Sequence, residues 1–192
     1  MKKSEKILMA ATKLWLQNSV KKTTMDDIAE SANVSKMTIY KYYSDKDTLY
    51  LEVGSYLLAS YSKQLMSISG SEAPLNEKMA QMITVVSAFA GSGDYALCQE
   101  LVRYNDALQA PFDQYREAYE RELYALIDAG VAEGKIRADI ERQMIFYYID
   151  MGIVYYQHNE HYRNHLNDDA AFQNQFMTFL MGNIFIEVIP AR

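Results

Sequence analysis

Apolar residues recur along this chain every three or four positions, the period of a helix with one buried face. No stretch alternates apolar and polar residues long enough to make a strand. The pattern predicts about nine helices. The first covers roughly 5–18, and two short ones follow at 25–32 and 36–43. A fourth starts near residue 45 and carries Leu49, Val53, Tyr56, Leu57, Tyr61 and Leu65 at helical spacing. The run SISGSEAP at 67–74 is the clearest break. Helices at 75–90, 94–108, 111–132, 139–165 and 168–188 complete the chain, with Pro111 at a first-turn position where its missing N–H costs nothing. There is no internal repeat, and the expected class is all-α.

The two short helices carry the most information. Residues 23–46 read TTMDDIAESANVSKMTIYKYYSDK. Ile28, Ala29 and Ala32 form the buried stripe of the first helix. Thr24 is placed to cap it, with Asp27 three residues on, and Asp26 and Asp27 suit its positive end. Asn33, Val34 and Ser35 form a tight turn in which Asn33 tolerates left-handed backbone, and Ser35 caps the second helix. Val34 and Ile39 point to a small core, which leaves Lys36, Met37, Thr38, Tyr40, Lys41 and Tyr42 outward. That is a helix-turn-helix whose second helix presents cations, hydroxyls and aromatics suited to a major groove. Many all-α proteins contain two such helices without binding DNA, so charge decides how the pattern is weighed. Residues 1–50 hold nine lysines and six acids, a balance of +3; the other 142 residues hold 10 basic and 19 acidic side chains, a balance of −9, giving the net −6. The basic end and the helix-turn-helix coincide, as an acidic nucleic-acid-binding protein requires.

Composition narrows the remainder. Hydrophobic residues make up 49%, enough for a core, and three prolines with eight glycines favour long helices. One cysteine, Cys98, excludes an intrachain disulfide and suits a reducing compartment as a small buried residue. The apolar run 7–11 is cut by Thr12 and Lys13, too short for a signal peptide, and no run approaches the roughly 18 residues of a membrane span. A cytoplasmic protein that makes no membrane contact is expected. No nucleophile elbow, phosphate-cradling glycine loop, HExxH or CxxC occurs, so the chain does not read as an enzyme and implies no cofactor.

The N-terminal motifs resemble those of the TetR/AcrR family of transcriptional regulators. They are ILMAATKLW at 7–15, TTMDDIA at 23–29, ANVSKMTIYKYY at 32–43 and then Ser44-Asp45-Lys46; GVAEGKIRADI at 130–140 adds a looser likeness. Departures are Ser19 and Asn33 where the family often has Gly, and Met37 where Gly or Pro is frequent; Ser19 is strained by about 1 kcal/mol if its φ is positive. The resemblance implies an N-terminal three-helix DNA-binding domain at 1–46 and a C-terminal helical ligand-binding and dimerisation domain at 47–192. It implies a regulator, in the first instance a repressor released from a palindromic operator by a small lipophilic ligand. A ligand-independent or architectural DNA-binding regulator is the alternative. Carried over, Thr24, Ser35, Lys36, Met37, Thr38, Tyr40, Lys41, Tyr42 and Lys46 are expected to meet double-stranded DNA. Lys36 and Lys41 suit guanine edges or phosphates alike, Thr38 and Tyr40 suit phosphate oxygens, and Lys46 at a helix start suits a phosphate.

The body invites two further readings. Phe172, Phe176, Phe179, Leu180 and Ile184 share one face of the last helix, and Phe146, Ile149, Ile153 and Tyr156 one face of the eighth, with Gly152 and Gly182 permitting close approach. They are either one subunit's core or, as the resemblance implies, the seam of a homodimer formed through the last two helices. Sixteen tyrosines, seven phenylalanines and eleven methionines are core or the lining of an adaptable pocket for an unidentified small-molecule effector. The ligand candidates are Tyr61, Arg103, Tyr104, Phe112, Tyr119, Tyr147, Asp150, Met151 and Tyr155. Asp150 lies in FYYIDMGIVYY, where a carboxylate needs a partner: Arg103 in an ion pair, or a cationic ligand. His158, His161 and His165 follow at i, i+3 and i+7, a spacing that permits a metal but equally a solvated helix end, and no metal is assigned to them.

Overall fold

A computed structural model describes residues 2–186. Ten α-helices occur among them: α1 Lys3–Gln17, α2 Met25–Ala32, α3 Lys36–Tyr42, α4 Lys46–Ser69, α5 Leu75–Ala90, α6 Gly93–Tyr104, α7 Gln109–Ala132, α8 Arg142–His158, α9 Glu160–Asp168 and α10 Ala170–Gly182. A 3₁₀ turn at Asp106–Leu108 precedes α7, and a single antiparallel bridge joins Ile136 to Phe185. The all-α class is as expected, and no described helix is long and apolar enough to cross a membrane.

Side chains that cap helices set the boundaries. The expected helix at 139–165 divides at Asn159. Its backbone is extended, its N–H closes α8 on the Tyr155 carbonyl at 3.0 Å, and its side chain accepts the Tyr162 N–H at 2.9 Å to start α9. Arg163 Nη1 donates to the Gln157 carbonyl at 2.9 Å and so covers a carbonyl that α8 leaves open. Asp169 caps α10 by accepting the Phe172 N–H, and that helix stops at Gly182, short of the expected 188. Of that expected helix, 187 and 188 lie outside the described residues. The sixth helix ends at Tyr104 because the Asn105 side chain accepts the Ala107 N–H and turns the chain.

The helices gather into two compact units, Met1–Ser60 with Ser92–Tyr115, and Tyr61–Gly91 with Arg116–Arg192. The first has its core in Ile7, Ala11, Trp15, Ile28, Ile39, Leu49, Val53, Leu101 and Leu108. Gly54 permits α4 to lie on Leu108, whose methyls are 2.7 and 2.9 Å from where a Cβ would stand. The second is built on Leu65, Met79, Met82, Phe89, Leu123, Ile127, Ile136 and Ile149.

Candidate nucleic-acid interface

Local chemistry fixes the helix-turn-helix. Thr24 and Asp27 form a reciprocal capping box: Thr24 Oγ1 accepts the Asp27 N–H at 3.2 Å, and Asp27 Oδ2 accepts the Thr24 N–H at 2.7 Å and its hydroxyl at 2.8 Å. These bonds hold the Asp27 carboxyl below its usual range. Asn33 ends α2 at φ 53°, ψ 51°, the left-handed turn expected of it. Among the described residues it is the one non-glycine with positive φ, so the strain considered for Ser19 is absent. Ser35 Oγ accepts the Thr38 N–H at 3.1 Å and starts α3, while buried Ile39 anchors that helix from beneath.

Five of the six residues expected to face outward do so. Met37 is 83% exposed, and Lys36, Tyr40, Lys41 and Tyr42 are exposed beside it. Thr38 departs from the row: it is half-buried, and its hydroxyl bonds to Ser35 Oγ at 2.8 Å. Lys41 has no salt-bridge partner among the described residues, whereas Lys36 Nζ lies 2.9 Å from Asp26 Oδ2. The hydroxyls of Thr24 and Ser35 serve as caps, so their first role is to hold the two helices.

Lys46 departs from expectation. Its ammonium turns inward, donating to the Val20 carbonyl at 2.8 Å and the Thr23 carbonyl at 2.6 Å, and lies 5.6 Å from the centre of the Tyr50 ring. Burial lowers its pKa against the pull of Asp27 and Asp47. The α1–α2 loop presents two carbonyls that end no helical ladder, and an ammonium with three donors satisfies both. Asp45 Oδ1 accepts the Thr48 N–H at 2.7 Å, so the start of α4 is also occupied. The expected phosphate contact at this position gives way to a tie between α4 and the α1–α2 loop.

The candidate ligand residues divide between the units. In the first, Arg103 and Tyr104 are exposed at the end of α6. The Tyr104 ring lies 5.7 Å from that of Tyr50, with Lys21 Nζ 5.4 Å from its centre. Half-buried Phe112 lies 5.7 Å from Tyr95. In the second, Tyr61 stacks on Phe89 at 3.9 Å, and buried Tyr119 lies 5.6 Å from Phe146. Half-buried Asp150 has its pKa raised by burial, and the cation that offsets this is Arg116 on α7. Asp150 forms no salt bridge with Arg103, and Arg116 acts on it only as a nearby positive charge. An arginine so far upstream of the aspartate leaves no periodic signal, which is why the sequence pattern does not reveal its influence.

Tyr147, Met151 and Tyr155 do not line an interior. They are exposed on α8, Met151 by 63%, and with Met144 and Val154 they make one apolar stripe. The tyrosine hydroxyls accept from Gln143 Nε2 and Asn159 Nδ2. The stripe expected at a subunit seam is displaced around the helix as well: Ile149 and Ile153 are buried within the chain, and on α10 Leu180 is buried while Phe179 is 70% exposed. His158 Nδ1 lies 2.9 Å from the Val154 carbonyl, His165 packs on Phe172 at 4.1 Å, and no group of three or more metal-ligating side chains is assembled among the described residues.

A capped helix-turn-helix with an exposed lysine- and tyrosine-bearing second helix is the arrangement that DNA-binding regulators use. Residues 7–53 match the family of bacterial regulatory proteins described as the tetR family. The chain is 24% identical over 185 residues to the fatty acid metabolism regulator protein of Bacillus subtilis, covering 93% of each. It is 22% identical over 149 residues to the transcriptional repressor KstR2 of Mycolicibacterium smegmatis, covering 76% of this chain and 73% of that one. Its fold resembles the FadR regulator of Bacillus subtilis crystallised with stearoyl-CoA, with a TM-score of 0.63, 23% identity and coverage of 94% and 98% of the two chains. The N-terminal segment of the chain thus matches the tetR family, and the chain over most of its length is similar to transcriptional regulators.

Proposed function

We propose that this regulator is a cytoplasmic repressor, with residues 1–46 as the DNA-binding domain and 47–192 as the ligand-binding and dimerisation domain. A homodimer binds a palindromic operator and leaves it when a lipophilic molecule enters the body. The observation that carries the reading is α3, pinned by Ser35 and Ile39 and offering Lys36, Met37, Tyr40, Lys41 and Tyr42 in one exposed row. Lys41, with no salt-bridge partner among the described residues, takes a phosphate. Thr24, Ser35 and Thr38 hold the frame, and their remaining lone pairs and backbone groups meet the duplex edge.

Dimerisation is supported by the exposed stripe Met144, Tyr147, Met151, Val154 and Tyr155, spaced i, i+3, i+7, i+10 and i+11, with Phe179 on α10. A two-fold pair of chains sets the recognition helices one duplex turn apart or somewhat more, roughly 34–36 Å per turn. The lipophilic effector is supported by the aromatic and methionine-rich composition and by relatives whose names concern fatty acid metabolism and stearoyl-CoA. To release the operator, the ligand must favour the DNA-incompetent state by a few kcal/mol.

Selection of bound fragments from random duplex DNA tests the reading. An inverted repeat is expected, and stearoyl-CoA, as first probe, is expected to dissociate the complex. Enrichment of no sequence contradicts the repressor. A repeat held equally with and without every acyl thioester offered supports instead the ligand-independent regulator.

A further inference from the structure

Across ten residues of sequence, the Lys36 ammonium and the Asp26 carboxylate meet at 2.9 Å. Beyond a first-turn charge at the positive end of α2, Asp26 adds nothing to that helix, because Thr24 and Asp27 complete the capping box between them. Both members of the pair are exposed, and exposed pairs add little to stability. An acid beside a surface that meets a polyanion weakens binding to any sequence. Its pairing with the first residue of α3 is not explained by that charge, which any solvated acid there would supply.

We infer that Asp26 is a specificity-determining positioning residue: its carboxylate holds the Lys36 ammonium on a base edge in the major groove and keeps it from neighbouring phosphates. This rests on α3 being the recognition helix. An untethered lysine is a point charge on a four-carbon stem and binds phosphate and base indiscriminately. Phosphate contacts carry no sequence information, whereas the guanine O6 and N7 atoms offer an ammonium two acceptors that other bases do not pair in this way. Lys36 opens α3, and the first residues of a recognition helix are those that reach base edges. The carboxylate narrows the arc the ammonium sweeps and repels the phosphates at its margin. The hydrogen bond from Lys36 to Asp26 also raises the lysine pKa, so the ammonium stays charged throughout. The ligand chemistry assigned to the pair is guanine in a duplex half-site.

The test compares wild type, Asp26→Asn, Lys36→Ala and the double variant on the selected operator and on a scrambled duplex, across a salt series. Asp26→Asn is expected to bind scrambled DNA several-fold more tightly, with a salt slope steeper by about 1 per half-site. Its ratio of operator to scrambled affinity is expected to fall about tenfold, and substituting the guanine opposite Lys36 is expected to cost it less than it costs wild type. In the Lys36→Ala background Asp26→Asn leaves the ratio unchanged, because its effect passes through the lysine. An unchanged ratio in Asp26→Asn, or the same change with and without Lys36, overturns the inference while leaving the interface standing. Failure of wild type to bind any duplex overturns the interface and this inference together.

Discussion

Lys46 and Asp150 are polar groups partly withdrawn from water, with opposite consequences. The two carbonyls held by Lys46 lose their donor in Lys46→Met, and the melting transition is expected to drop by the equivalent of roughly 1.5–3 kcal/mol, the range for hydrogen bonds to charged groups. The salt slope of DNA binding is expected to stay as in wild type; a slope lower by about 1 per lysine restores the phosphate contact to this residue. The Asp150 carboxyl has its folded pKa raised above the ordinary 3.8, first by burial, so its charged form is disfavoured in the folded state. That penalty is present above the raised value and disappears as pH falls toward 3.8. Asp150→Asn is therefore expected to melt higher than wild type at neutral pH, with the gap closing on acidification. A lower melting point at neutral pH makes the attraction of Arg116 the larger effect.

Among the elements, helix existence was legible in the sequence and helix division was not. The 3.6-residue period of apolar positions locates the helical stretches, because one buried stripe is all a helix needs to be recognised. The break at Asn159 left no such mark: only its own side chain, reaching the Tyr162 N–H, turns the chain. The capping box at Thr24 and the turn at Asn33 were legible because their chemistry is local. The inward turn of Lys46 and the nearness of the Arg116 charge to Asp150 were not, since each depends on residues far along the chain. The recognition row on α3 was readable from the turn and from buried Ile39, but the Asp26–Lys36 pair depends on how α2 and α3 cross. Close packing at Gly130 is a further non-local feature: Ile136 side-chain carbons lie 2.5 and 2.7 Å, and Leu75 Cδ2 2.7 Å, from where an added Cβ would stand. In Gly130→Ala the helix gains about 0.5–1 kcal/mol of propensity, while overpacking against buried Ile136 costs about 1–3 kcal/mol. Net destabilisation near ~1 kcal/mol is expected in denaturant unfolding, and a stabilised variant shows that Ile136 yields.

At the scale of the molecule, the acidic body and the basic head divide two tasks. Net charge favours solubility, while the lysines gathered in the first 50 residues suit the phosphate contacts of the proposed function. The exposed stripe on α8 with Phe179 on α10 is a large apolar surface for one chain to leave in water. Met151→Glu places a charge at its centre, and sedimentation is expected to shift from twice the chain mass to the chain mass. Operator affinity is expected to fall with it, since each half-site is then held alone. A variant that keeps the wild-type mass moves the subunit seam elsewhere.

Lys41 reports whether α3 grips duplex DNA, because no salt bridge within the described residues masks its charge. Anisotropy titrations of the selected duplex compare wild type and Lys41→Ala from about 50 to about 200 mM salt. Lys41→Ala is expected to bind operator and scrambled sequence alike more weakly, with the salt slope reduced by about 0.9 for each lysine removed. Titration curves that superimpose at every salt concentration contradict it.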